Sequence, residues 1–145
     1  MRPALLASRT ALLLLMALAV SAHSPVGPDD ALGRVSQGLE DSDPEAVLAD
    51  VGGRVEIVLF GQGGVFRRAQ AVHVLRDFFR RYPPARVAFS EPSSSDDGQT
   101  AVGRYSLRSG GSDLKVSVMH RVTGDTWKLA SIRIEQRPIV RPTGL

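Results

Sequence analysis

Two polar side chains fall where apolar ones belong. Side chains alternate across a strand. Over residues 113–122 that rule puts Leu114, Val116, Val118, His120 and Val122 on one face. Over residues 100–108 it groups Ala101, Gly103, Tyr105 and Leu107. Tyr105 and His120 are therefore the candidate ligand-binding residues. In a dry pocket a phenol and an imidazole can polarise a carbonyl or move a proton, with burial tuning the imidazole. The plainer arrangement is a Tyr and a His buried in the core, each satisfied by hydrogen bonds, which is the usual state of buried polar groups. No carboxylate clearly joins them. Glu56 lies on the opposite parity from Val55, Ile57 and Leu59, although Val58 and Phe60 share its side.

Other combinations are weaker. His73 and Asp77 are four apart in a helical stretch and can touch, but they lie on its polar side beside Arg80 and Arg81. A surface ion-pair cluster is the simpler account, and such clusters contribute little. Three histidines, including His23 near the start, and no cysteine give no metal-ligand spacing. Neither a metal nor a cofactor is expected. Gly61-Gln62-Gly63-Gly64 lacks the Gly-Lys-Ser/Thr of a phosphate loop and reads as a turn. No serine occupies a Gly-x-Ser-x-Gly elbow. Arg104, Arg108, Arg121 and Arg133 fall on the outer parity, where Asp113 and Glu135 intersperse them. That mixture describes a solvated sheet face rather than a basic patch.

The elements that must position these residues start after an export signal. Arg2 and Arg9 precede an unbroken apolar run from Ala11 to Val20, and Val20-Ser21-Ala22 supplies a cleavage site. That order is the secretory pattern. Ten apolar residues span roughly 15 Å as a helix, half of a bilayer core of about 30 Å, so the run is too short for an anchor. Residues 1–22 are expected to be removed, 23–29 to form a leader, 30–137 the domain and 138–145 a tail. The mature chain then has no transmembrane segment and is periplasmic or secreted. Without residues 1–22 the basic residues fall from 18 to 16 against 15 acids, so the formal charge drops from +3 to +1. So small a charge argues against a nucleic-acid partner. With no cysteine, the core alone must stabilise the fold, which a domain of about 120 residues can do.

Leu32, Val35 and Leu39 recur at helical spacing after Asp29 and Asp30, either of which can cap a helix. Asp43-Pro44-Glu45 reads as an N-cap, first helical residue and first-turn acid, with Gly52-Gly53 as the stop. Residues 54–60 read as a strand. Residues 67–82 are the best helix, with Ala71, Val74, Leu75, Phe78, Phe79 and Tyr82 on one face and Pro83-Pro84 ending it. Four strands follow, over 86–91, 100–108, 113–122 and 126–135. In the last, Ala130, Ile132 and Ile134 are expected inside. Residues 92–98 form a loop between the first two of these strands. This order predicts an α+β fold, a curved antiparallel sheet cupping about three N-terminal helices.

On these residues the chain resembles the nuclear transport factor two-like superfamily, a cystatin-like cone, and within it a family of small exported bacterial proteins of unknown function. The similarity rests on Asp43-Pro44-Glu45, Val55-Glu56-Ile57, the turn and helix entry from Gly61 to Gln70, Asp77-Phe78-Phe79, and the strand from Trp127 to Glu135. It implies the fold. Superfamily members include isomerases, dehydratases, binding modules and association domains, so it does not decide function. The reading is an exported, non-enzymatic module that binds a small apolar ligand or a protein partner. The alternatives are an isomerase- or dehydratase-like enzyme using Tyr105 and His120, and a dimerisation domain without ligand. Trp127, Leu129 and Met119 on the outer parity would suit a homodimer through the sheet face.

Overall fold

The computed structural model describes residues 27–137. The expected export signal, most of the expected leader, including His23, and the expected tail lie outside the described residues.

Helix α1 (Pro28–Glu40) opens with Pro28 in its first turn and Gly27 as its N-cap, so Asp29 and Asp30 lie inside the first turn rather than capping it. Acids there favour the positive end of the helix dipole. Its buried face is Ala31, Val35, Gly38 and Leu39. The short helix α2 (Pro44–Val47) follows, and the Asp43 carboxylate accepts a hydrogen bond from the Ala46 N–H at 3.1 Å, the expected cap. Gly52-Gly53 does not stop this helix. It ends at Val47, and both glycines belong to strand β1 (Val51–Leu59).

The turn is tighter than the glycine run suggests. Phe60 and Gly61 both have positive φ, 52° and 79°, and alone connect β1 to β2 (Gln62–Arg67). Two central residues of that kind make a type I′ hairpin, whose twist matches that of the strands. Helix α3 (Arg68–Arg81) then buries Ala71, Leu75, Phe78 and Phe79, as its periodicity predicts. Next come β3 (Pro84–Phe89), a three-residue β4 (Ser93–Ser95) inside the expected loop, β5 (Gly98–Leu107), β6 (Leu114–Thr123) and β7 (Thr126–Gln136).

These strands form one sheet of seven in the order β2-β1-β7-β6-β5-β3, with β4 also on β5. The α+β class and curved sheet match the expectation. One pairing differs: β1 runs parallel to β7, while the others are antiparallel. The long connection through α3 and five strands allows it, since parallel neighbours cannot be joined by a tight hairpin. Helices and sheet share one core of α1, α2 and α3 residues with Ile57, Val116, Ile132 and Ile134. No helix among the described residues is long and apolar enough to cross a membrane.

Strand β7 contains the local departure with the widest effect. Met119 pairs with Ser131, but His120 pairs with Leu129, so Ala130 is an extra residue. Such a bulge switches which parity faces inward. Leu129 is consequently buried with Ile132 and Ile134, and Ala130 is only partly buried. The expected inward position of Ala130 and outward position of Leu129 are both corrected by this one residue. The expected outer trio of Trp127, Leu129 and Met119 therefore does not form. Val122 keeps the inward parity but is exposed, because the β6–β7 hairpin runs on beyond the core.

Helix α1 packs so closely on α2 that Gly38 has no room for a side chain. A Cβ there would lie 2.8 Å from the Val47 nitrogen and 2.9 Å from its Cγ2. Helix propensity favours Gly38→Ala by about 1 kcal/mol, whereas overpacking costs about 1–3 kcal/mol. A backbone nitrogen cannot swing aside, so the clash dominates. Gly38→Ala is expected to lower the urea midpoint, while Gly33→Ala, with open space around the new methyl, raises it. A stabilised Gly38→Ala protein would contradict the packing.

Candidate functional site

Register decides what becomes of Tyr105 and His120. Tyr105 pairs with Leu114 and His120 with Gln99. Six residue steps of β6 separate those positions, roughly 20 Å at about 3.3 Å each. The two share a face of the sheet but stand at opposite ends of it, and the structure does not bring them into one site.

Tyr105 is fully buried, and its hydroxyl donates to the Tyr82 carbonyl at 2.5 Å. Burial pushes its phenol well above the ordinary range. It is thus a neutral donor fixing the chain just after α3. Around it lies a cluster of rings: Phe78 is 5.7 Å from Tyr105 and 5.1 Å from Tyr82, and Phe60 is 5.0 Å from Tyr82. Offset and edge contacts of this kind stabilise by about 0.5–1.5 kcal/mol each.

Two of those rings, Phe60 and Tyr82, face a concavity. A cleft of about 1040 Å³ opens at this end of the cone, walled by Phe60, Tyr82, Leu107 and Leu114, with Asp113 and Arg137 at its margin. A second hollow of about 470 Å³ lies beside it and shares Phe60 and Tyr82, with Val74, Phe78 and Arg81 on its far wall. Phe60 is unusual in sitting between them. The left-handed conformation costs a residue with a Cβ about 1–2 kcal/mol. Its N–H donates to the Ile134 carbonyl at 2.9 Å and its ring packs on Tyr82 and Phe78, which offsets the strain. Asp113 is paired with Arg104 at 3.3 Å.

The opposite end is polar and closed. His120 and Gln99 are 1% and 3% exposed. Asp50 precedes β1, and its carbonyl accepts from the Leu129 N–H at 3.0 Å, beside the bulge. Its carboxylate accepts two bonds from Arg34 of α1, at 2.6 and 3.0 Å. Burial holds the His120 ring below its ordinary pKa of 6.5; Asp50 pulls it upward and Arg34 presses it down. Gln99 escaped the sequence reading because its strand begins earlier than expected, although its odd parity with Ala101 and Tyr105 was a usable signal.

The remaining candidates lie on the surface. His73 and Asp77 are exposed; Arg80 pairs with Asp77 at 3.4 Å and Arg76 with Glu45 at 2.9 Å. Glu56 is exposed. Arg133 pairs with Glu135 at 3.6 Å, so the outer arginines are interspersed with acids as expected. Among the described residues no three His, Asp or Glu side chains group as a metal site.

The lowered His120 pKa makes stability depend on pH. Between the folded-state and unfolded pKa values the unfolded chain binds a proton that the folded chain refuses. Stability is therefore held above about pH 6.5 and falls as the pH drops toward the folded value, by at most about 1.4 kcal/mol per pH unit. Urea unfolding at pH 7.5 and pH 5 should show this loss, and His120→Gln should flatten it. An unchanged pH dependence in His120→Gln would show that the ring is not a buried neutral imidazole.

Residues 32–135 match the family model described as "Domain of unknown function (DUF4783)". No curated protein matches the chain. Among solved structures, a DUF4783 family protein from Bacteroides ovatus is similar at 14% identity and a TM-score of 0.66, over 72% of this chain and 93% of that one. An NTF2-like protein of unknown function from Shewanella baltica gives 15% identity and a TM-score of 0.59, over 76% and 90%. A Nostoc punctiforme protein of unknown function with a cystatin-like fold gives 16% and 0.59, over 80% and 97%. These likenesses establish the NTF2-like, cystatin-like fold.

Proposed function

We propose, from the premise that this chain belongs to the DUF4783 family of unknown function, that it is an exported, non-catalytic module binding a small, largely apolar molecule at the Phe60–Tyr82 end of the cone. The observation that carries the reading is the cleft of about 1040 Å³ at that end. Small-molecule sites are concave, mostly apolar, and of about 300–1,000 Å³ with a few polar groups for orientation. Phe60, Tyr82, Leu107 and Leu114 supply the apolar wall, and Arg137 and Asp113 the polar margin. Export is supported by the Arg2 and Arg9 charges ahead of the 11–20 apolar run.

Binding is favoured over catalysis by where the acid–base groups stand. Tyr105 and His120 are buried, and neither lines the cleft. Tyr105 is committed to the Tyr82 carbonyl. It acts on the cleft as a positioning residue, fixing the backbone that carries the Tyr82 ring.

The fluorescent probe anilinonaphthalene sulfonate, an aromatic body with one anionic group, tests the cleft in the folded protein. Phe60→Asn is the discriminating variant. It removes the ring yet creates Asn-Gly, the pair best suited to a type I′ turn, so the hairpin is retained. Phe60→Asn is expected to weaken the probe by about tenfold, or about 1.4 kcal/mol. Val65→Ser, on an exposed side chain, should leave binding unchanged. Equal affinity in the wild type and Phe60→Asn would rule the cleft out.

A further inference from the structure

The closed end of the cone contains two polar atoms with nothing to bond. Gln99 Oε1 and His120 Nε2 are each buried and each without a hydrogen-bond partner. They belong to directly paired residues on adjacent strands, and both side chains face the inside of the sheet. Leaving one buried polar group unmade costs about 1–3 kcal/mol, so two side by side are a substantial penalty. They do not satisfy one another. The Gln99 amide nitrogen reaches only the Ser94 hydroxyl, at a long 3.5 Å.

We infer that Gln99 and His120 form a site for a single hydroxyl group, which bridges the two side chains inside the cone. The chemistry of the atoms selects the occupant. Gln99 Oε1 can only accept, so the guest must donate a hydrogen. A neutral imidazole presents at Nε2 either an N–H or a lone pair, depending on tautomer. A hydroxyl donates to Oε1 and still accepts from Nε2–H. A carboxylate has no hydrogen to offer and is refused. An ammonium would add an unpaired charge in a closed interior, which is costly.

The surroundings agree. The charged groups near His120 are Asp50 and Arg34, and these pair with each other at 2.6 Å rather than with the ring. They leave the interior close to neutral. The bulge at Ala130 lies beside Leu129, the His120 partner on β7. Bulges re-aim side chains and occur often beside sites. The hydroxyl comes from water or from a small neutral alcohol, and this end of the cone is independent of the Phe60–Tyr82 cleft.

A high-resolution crystal structure of the protein tests the assignment, with separate soaks in ethylene glycol and in acetate. The expected result is one oxygen within about 2.7–3.2 Å of both Gln99 Oε1 and His120 Nε2. Density extending from that oxygen in the glycol soak identifies an alcohol as the source; unchanged density identifies water. Gln99→Leu should lose the oxygen and shift the His120 Nε2 resonance of the 15N-labelled protein. The same resonance in the wild type provides a reading that does not depend on the variant folding: it should be that of a neutral ring. An empty gap, a Gln99 amide bonded straight to His120, acetate in the site, or a charged ring at neutral pH would each overturn the inference.

Discussion

Strand β7 is paired along both sides, parallel to β1 and antiparallel to β6, and it accommodates one residue too many. Much of the interior depends on that constraint. Were Ala130 part of a regular ladder, Leu129 would point to solvent while Ile132 and Ile134 pointed inside. The bulge lets all three face the helices, and each fully buried aliphatic side chain stabilises by about 1.5–3 kcal/mol. It also sets the register in which His120 meets Leu129 and Gln99 on its two sides. The polar end of the cone is therefore a consequence of how the apolar part packs.

The two ends then acquire different chemistry from the same sheet. At one, the C-terminal ends of β1, β5, β7 and α3 converge with the start of β6, and the rings of Phe60, Phe78, Tyr82 and Tyr105 pack on one another, with Phe60 and Tyr82 facing a hollow. The Tyr105 hydroxyl is consumed internally by the Tyr82 carbonyl, so what remains for a ligand is surface and shape. At the other end, Gln99 and His120 are enclosed and the Arg34–Asp50 pair stands nearby. Tyr105 and His120 resemble a catalytic pair in sequence because they share a parity. Distance along the strand, which parity does not encode, separates them.

How much was legible follows from which signals are local. The α3 face from Ala71 to Phe79 and the Asp43 cap depend on near neighbours, and both can be read directly. The order of elements was enough for the α+β class and its curved sheet. Strand partners are non-local, and nothing near Val51 announces that β1 will lie parallel to β7. The bulge at Ala130 is likewise invisible, since a perfect alternation can be written through Trp127–Glu135 in either phase. Phe60 was hidden for a different reason. Turn chemistry assigns positive φ to glycine and asparagine, so the glycines after it drew the turn one residue too far along. The cleft is formed from that misread turn, the end of α3 and the β5–β6 loop, which come together only in the fold.

The central claim is that a small apolar ligand enters at the aromatic end of the cone and not at the Gln99–His120 end. Chemical-shift mapping of the 15N-labelled protein during titration with anilinonaphthalene sulfonate addresses it most directly. The account predicts that the backbone amides of Phe60, Tyr82, Gly110, Gly111 and Leu114 move together and saturate at one concentration, while Gln99 and His120 stay still. Shifts centred on Gln99 and His120, or spread evenly over the outer face of the sheet, would contradict it.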